Sequence, residues 1–183
     1  MFVALDLPER IRDGLAAWGE RELVDPALRP VRHESLHLTL AFLGHREVAE
    51  VEGIAAVVRR SGGPAPLLKL EDPIPLPGRR RASLFALPAP SPATTDLRHE
   101  LVGRLVAAGL HEVEKRDFWP HVTVARVRAE GRGSRRPAAV GRWPGDLPDE
   151  LKKPFLGVRM TLYRSELQPG GARYTPLAQV ELS

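Results

Sequence analysis

The 183-residue sequence contains no cysteine. That excludes disulfides, thiol nucleophiles and cysteine-based zinc sites. It also lacks any apolar run near the ~20 residues a membrane-spanning helix needs. The opening MFVALDLPER has no basic stretch followed by a long apolar core, so it does not read as a secretory signal. Lysine is scarce, and nearly all of the 27 basic residues are arginine. Against 23 acidic residues they leave a formal net charge of +4. Arginine offers phosphate a planar fork, so this balance permits an RNA or phosphate partner. A GC-rich genome produces the same bias, so charge alone does not demand one. Together these absences lead to the expectation of a soluble, cytoplasmic protein with no membrane contact. The 43% apolar share is ordinary, and the length suffices for one sizeable domain or two small lobes.

What the chain does contain is a repeated stretch. His37-Leu38-Thr39-Leu40-Ala41-Phe42-Leu43 and His121-Val122-Thr123-Val124-Ala125-Arg126-Val127 share His, an aliphatic, Thr, an aliphatic, Ala, any residue and a further aliphatic. Each alternates as a β-strand does, so His and Thr share one face and the two aliphatics between and after them share the other. One face packs on a core while the other presents an imidazole beside a hydroxyl. A chain that does this twice can bring its two polar faces together.

The remaining chain supplies a frame. Phe2 to Leu7 reads as a strand, followed by a helix with Ile11, Leu15 and Trp18 on one face and a loop broken by Pro26 and Pro30. The first His strand, roughly 36 to 43, is closed by Gly44. Val48, Val51, Ala55 and Val58 mark a helix over about 46 to 60. Leu68 to Leu76 reads as an edge strand, and the basic turn Pro77-Gly78-Arg79-Arg80-Arg81 joins it to a strand over Ala82 to Leu87. Ser91-Pro92 caps a helix lined by Leu97, Leu101, Leu105 and Ala108, with Gly109 at its left-handed end. Glu112 to Phe118 leads into the second His strand. Residues 129 to 150 read as a surface loop whose Arg132, Arg135, Arg136 and Arg142 could touch a polyanion or simply be solvated. Phe155 to Tyr163 and Tyr174 to Leu182 close the chain as strands around the turn Gln168-Pro169-Gly170-Gly171. The expected fold class is α+β with antiparallel sheets and a pseudo-twofold duplication.

Two imidazoles with ordinary pKa values near ~6.5 can divide acid and base work at neutral pH. One takes a proton from an attacking water while the other gives one to the leaving oxygen. In-line displacement at phosphorus needs such groups on opposite sides of the phosphorus atom. Thr39 and Thr123 would each place a hydroxyl beside an imidazole, able to donate to a phosphoryl oxygen as charge builds. The design requires no metal and no cofactor. A single His-x-Thr in a strand is usually an ordinary half-buried pair; the duplication within one apolar frame is the signal.

A competing pattern overlaps the first motif. His33-Glu34-Ser35-Leu36-His37 matches H-E-x-x-H, a zinc hydrolase signature that works on a helix. Here the second His opens a run that alternates like a strand, so the zinc reading ranks last.

With these motifs in hand, the chain resembles the two-histidine phosphoesterase superfamily and, within it, the RNA 2',3'-cyclic phosphodiesterases, historically called 2'-5' RNA ligases. FVALDLPE, LHLTLAFLG, FWPHVTVARV and LYRSELQPGGARYTPLAQVEL carry the resemblance, in order, over nearly the whole chain. It implies a single domain over 1–183 made of two intertwined lobes, each a small antiparallel sheet with outer helices, and an active site in the central cleft. It implies hydrolysis of RNA 2',3'-cyclic phosphate ends to 2'-phosphomonoesters by a monomer, with reverse 2'-5' ligation as a further capacity. His37 would then be the proton donor and His121 the proton acceptor, although spacing alone leaves the roles interchangeable. Arg126 would clamp the phosphate, which needs a strand end or bulge because strict alternation turns it away from His121. The family often carries Lys where this sequence has Ala41, so a basic-loop arginine would have to supply the second cation. Phe42 is a candidate for stacking on a base, although Phe42, Phe118 and Trp119 read more readily as core. Tyr174, Ser165 and Gly171 read as structural, and His45, His99 and His111 as surface residues. Two other readings stay open: an RNA-end binding module without turnover, and an esterase for a small cyclic phosphate derived from ADP-ribose or a nucleotide.

Overall fold

Apolar residues at helical spacing and at alternate positions build the elements of the computed structural model, which describes residues 1–112, 116–168 and 171–183. β1 (Phe2–Asp6) runs into α1 (Glu9–Glu22), where Ile11, Leu15 and Trp18 are buried as their spacing predicts. β2 (Leu28–Pro30) lies in what the prolines suggested was loop. After β3 (His37–Phe42) comes α2 (Val48–Arg60). Its buried face is Ile54, Ala55, Val57 and Val58, while Val48, expected on that face, is exposed at the first turn. The expected strand 68 to 76 is two short ones, β4 (Leu67–Leu68) and β5 (Ile74–Leu76), because Pro73 interrupts the run. β6 (Leu84–Pro88) completes the hairpin with β5. α3 (Pro92–Ala107) starts at Ser91, whose hydroxyl accepts from the Thr94 N–H at 3.2 Å. Gly44 and Gly109 both take the left-handed backbone that ends their elements, at φ +70° and +69°.

β7 (His121–Val127) carries the second motif; its approach over Glu112 to Phe118 lies partly outside the described residues. The expected strand 155 to 163 divides into β8 (Phe155–Leu156), paired with β4, and β9 (Arg159–Gln168). β10 (Gly171–Glu181) returns along β9, and the centre of their connecting turn, 169–170, lies outside the described residues.

Among the described residues the main sheet runs β10-β9-β1-β3-β7-β6-β5, antiparallel throughout, and β2 pairs with the far end of β7. Among the described residues, β3 and β7 join the two halves through the pairing of Leu38 with Val122. On one side lie β10, β9, β1 and β3; on the other lie β2, β7, β6 and β5. This is the α+β, antiparallel arrangement that the repeat suggested. Leu5, Leu38, Leu40, Val122, Val124 and Leu162 line its buried face with the helices. Each fully buried aliphatic of this kind contributes roughly 1.5–3 kcal/mol.

Residues 129 to 150 hold little regular structure but are fastened down. Asp25 accepts from the N–H groups of Ala27 (2.8 Å), Gly141 (2.9 Å) and Arg142 (2.7 Å). The Arg142 and Ala27 N–H groups hold its carboxyl below the usual range. Glu22 accepts from Gly145, and the Trp18 indole N–H donates to the Asp146 carbonyl. No helix among the described residues is long and apolar enough to cross a membrane.

Candidate active site

Alternation puts Leu38 and Val122, both fully buried, on the core face where they pair. His37, Thr39, His121 and Thr123 therefore share the opposite face and line one cleft of about 660 Å³. Extending the antiparallel register from the Leu38–Val122 pair sets His37 across from Thr123 and Thr39 across from His121. The two histidines are then diagonal neighbours. Such positions lie roughly 7–8 Å apart in a regular ladder, wider where strands splay as these do.

Both motifs carry a β-bulge at the same place. β1 pairs Val3 with Ala41 and Ala4 with Thr39, leaving Leu40 as the extra residue. β6 pairs Phe85 with Ala125 and Ala86 with Thr123, leaving Val124 extra. A bulge resets the alternation. In each motif the fourth and fifth residues are consequently both buried and the sixth, Phe42 or Arg126, turns out. Arg126 thus lines the same cleft as His121, as the bulge requirement foresaw. Phe42 occupies the matching position in the other half and is 67% exposed, so the reading of it as core is corrected.

The imidazoles are oriented alike. His37 Nδ1 lies 2.8 Å from the Ser35 carbonyl and His121 Nδ1 lies 2.8 Å from the Trp119 carbonyl. A carbonyl can only accept, so each Nδ1 carries its proton and donates two residues back along the chain. Each Nε2 is left for chemistry, and His37 Nε2 lies 3.2 Å from the Thr39 hydroxyl.

Their surroundings differ. Phe2 stacks on His37 with centroids 4.8 Å apart, and Tyr174 meets it edge-on at 5.5 Å. Across β1 sits Asp6, a buried carboxylate that accepts from Arg159 (2.9 Å), Thr161 (2.8 Å) and Tyr163 (3.0 Å). Burial pushes the His37 pKa down; the Ser35 carbonyl and Asp6 push it up, while His121 and Arg126 push it further down. Burial, with Asp6 alongside, pushes the Tyr163 hydroxyl up to about 12, so it serves as a donor. His121 instead stacks on one ring, Trp119, at 4.6 Å, and that ring is itself 39% exposed.

The second cation comes from a place sequence reading treated as loop. Ala41 is 1% exposed and faces the core, so the cleft face is closed to that position. Arg29 on β2 is the partner of Arg126 on β7, and Arg29 and Arg32 both line the cleft. The Leu28-Arg29-Pro30-Val31 alternation was the available signal, hidden between prolines that an edge strand tolerates. Tyr174, Ser165 and Gly171 line the cleft too, which corrects their purely structural reading. Trp119 is exposed rather than core, while Phe118 lies half-buried under the Arg98 guanidinium at 4.9 Å. His45 and His99 are exposed and His111 is half-buried. Arg132, Arg135, Arg136 and Arg142 do not line the cleft.

His33 and His37 do not form a helical H-E-x-x-H pair. His33 lies in a three-residue 3-10 turn (His33–Ser35), and its Nε2 is 2.9 Å from Asp13, whereas His37 opens β3. Among the described residues, the group spaced to hold an ion is Glu9, Asp13 and His33, outside the cleft lining.

Residues 5–67 match the LigT-like phosphoesterase family. Proteins named RNA 2',3'-cyclic phosphodiesterase are similar over the whole chain: one from Thermus thermophilus is 30% identical, with 89% of its length covered, and one from Escherichia coli is 29% identical, with 96% covered. The crystal structure of E. coli LigT complexed with 3'-AMP superposes at a TM-score of 0.77 and 27% identity, covering 100% of this chain and 97% of that one. With its paired His-x-Thr strands opening on one groove, the chain belongs to the LigT-like phosphoesterase family.

Proposed function

We propose that this chain, acting as one unit over 1–183, hydrolyses 2',3'-cyclic phosphate ends of RNA to 2'-phosphomonoesters, with His37, Thr39, His121, Thr123 and Arg126 as its working residues. The observation that carries this reading is the pair of Nδ1-anchored imidazoles lining one cleft beside Arg126. Water attacks phosphorus as His121 Nε2 takes its proton, the bond from phosphorus to the ribose 3'-oxygen breaks, and His37 Nε2–H protonates that oxygen. One water is consumed, and the proton count is restored by exchange between the histidines and solvent. Arg126 offers a fork to the non-bridging oxygens, and the threonine hydroxyls lie beside the same region. With a 5'-hydroxyl in place of water, the same displacement joins two RNA ends through a 2'-5' linkage, the 3'-oxygen again leaving with the proton from His37. Every step uses side chains of the protein alone, so the reading is of a metal-independent enzyme.

A donor imidazole must hold a proton, yet burial lowers the His37 pKa in the free cleft. The bound phosphodiester is an anion beside Nε2, and opposite charge raises an imidazole pKa. The bound phosphodiester therefore favours the protonated form of His37.

The test is turnover of a 2',3'-cyclic nucleotide in the presence of chelator. His37→Ala and His121→Ala should each lose about 10²–10⁴-fold in kcat; full activity in both would falsify the proposal. Roles separate on an aryl phosphodiester, whose phenolate leaves without needing a proton. That substrate should restore His37→Ala and not His121→Ala; the opposite pattern would exchange the two roles. Tight cyclic-phosphate binding by the wild type without product would favour the RNA-end binding module instead.

A further inference from the structure

Around Arg126, basic residues that the catalytic steps leave unused gather at one mouth of the cleft. β7 leaves the cleft at Arg126, and Arg128 follows two residues later, about 7 Å along an extended chain. The Val127 N–H donates to the Ser83 carbonyl at 2.8 Å and the Arg128 N–H to the Ala27 carbonyl at 2.7 Å. Those bonds hold this end of β7 between β2 and the segment following the 3-10 turn Arg79–Arg81. Arg29 pairs with Arg126 on one side, and Leu84, three residues past that turn, pairs with it on the other. Arg29, Arg79, Arg80, Arg81, Arg126 and Arg128 are all exposed.

Several arginines elsewhere find carboxylates, as Arg12 does with Glu9, Arg46 with Glu50, Arg104 with Glu100 and Arg159 with Asp6, while others, such as Arg60 and Arg173, stand exposed and singly. None of the six at this mouth has a carboxylate partner among the described residues. Arg79 instead lies 5.3 Å over the Trp143 ring. Like charges gathered without counter-charges repel one another, and a polyanion relieves this while releasing its own counterions. Among the described residues, those that line the cleft on the β9–β10 side, such as Phe42, Leu167, Gln168 and Tyr174, are uncharged.

We propose that the arginine-lined mouth binds the phosphates of single-stranded RNA upstream of the reacting end, so that the preferred substrate is an oligonucleotide rather than a free cyclic nucleotide. This rests on the phosphodiesterase reading above. The strand is single because its end must enter the cleft between the two halves of the sheet.

The experiment compares a 2',3'-cyclic mononucleotide with an oligonucleotide ending in the same group. For the wild type, kcat/KM on the oligonucleotide should fall more steeply with salt than on the mononucleotide; equal slopes overturn the proposal, with no variant involved. Arg80, Arg81 and Arg128 do not line the cleft. Arg80→Ala/Arg81→Ala/Arg128→Ala should leave mononucleotide turnover unchanged, lower oligonucleotide kcat/KM about tenfold or more, and flatten the log–log salt slope by about 2, from three contacts at ~0.7 each. An unchanged oligonucleotide rate overturns it. Should the wild type turn over neither substrate, the phosphodiesterase reading fails by itself. Fluorescence anisotropy with a 3'-phosphorylated oligonucleotide then judges the surface separately: weaker binding by the triple variant supports it, and equal binding overturns it.

Discussion

The two halves of the cleft are built from the same seven-residue pattern and the same bulge, yet they hold their histidines differently. In the β1–β3 half, His37 sits under Phe2 and Tyr174 with the Asp6 carboxylate behind it. In the β6–β7 half, His121 leans on the single exposed ring of Trp119. At the matching sixth position the first half offers an aromatic ring, Phe42, and the second a guanidinium, Arg126. Duplication thus supplies the geometry, two Nε2 atoms facing one space. Divergence around it makes the two surroundings unequal, as the proposed acid and base roles would require.

That contrast can be broken at several places. The largest effect after the histidines belongs to the sixth positions. Arg126→Ala should lower kcat/KM about 10²–10³-fold by removing the charged donor proposed for the phosphoryl oxygens, whereas Phe42→Ala should cost about tenfold, toward the lower end of the ~1–3 kcal/mol of one stacked base. Steady-state kinetics on the same cyclic nucleotide measures both, and equal losses would mean that the two positions do the same job.

The threonines come next. Thr39→Val removes a hydroxyl already 3.2 Å from His37 Nε2, and a hydrogen bond worth about 1 kcal/mol predicts a loss of roughly five- to tenfold. Thr123→Val should lose no more than this. A much larger loss at Thr123 would move the main phosphoryl donor to the exposed half.

The smallest effect is a displacement along the pH axis. Asp6 raises the His37 pKa against the dominant lowering by burial. Asp6→Asn removes that charge, so the His37 imidazole should titrate at lower pH, seen in its own NMR resonance. The limb of the pH–rate profile that follows this group should move the same way. The sign follows from charge: a lost negative neighbour disfavours the imidazolium. A His37 resonance that does not move would remove Asp6 from the comparison.

Much of this was readable in advance because it is local. Alternation declared β3 and β7 as strands and put His with Thr on one face. Ile11, Leu15 and Trp18 declared α1, and Ser91 with Gly109 bounded α3, since caps and periodicities act within a few residues. The need for a bulge before Arg126 followed from counting residues. What escaped was non-local. β2 is three residues long and flanked by prolines, so only its pairing with β7 makes it a strand. Trp119, Tyr174 and Phe42 have compositions that suit a core, and only the assembled fold shows which sides of them stay open. The mirrored bulge at Leu40 depends on a partner strand that the motif itself does not encode.

By itself, then, the order of residues determined the two polar strand faces, the helices that back them and the chemistry two imidazoles can perform. The tertiary structure alone decided that those faces share a cleft, that Arg29 and Arg32 rather than a residue at position 41 line it with positive charge, and that His37 packs against Phe2 and Tyr174 while His121 stacks on Trp119. The division has one cause. Periodicity and capping are set by neighbours along the chain, whereas exposure, pairing and electric field are set by whatever the fold brings alongside.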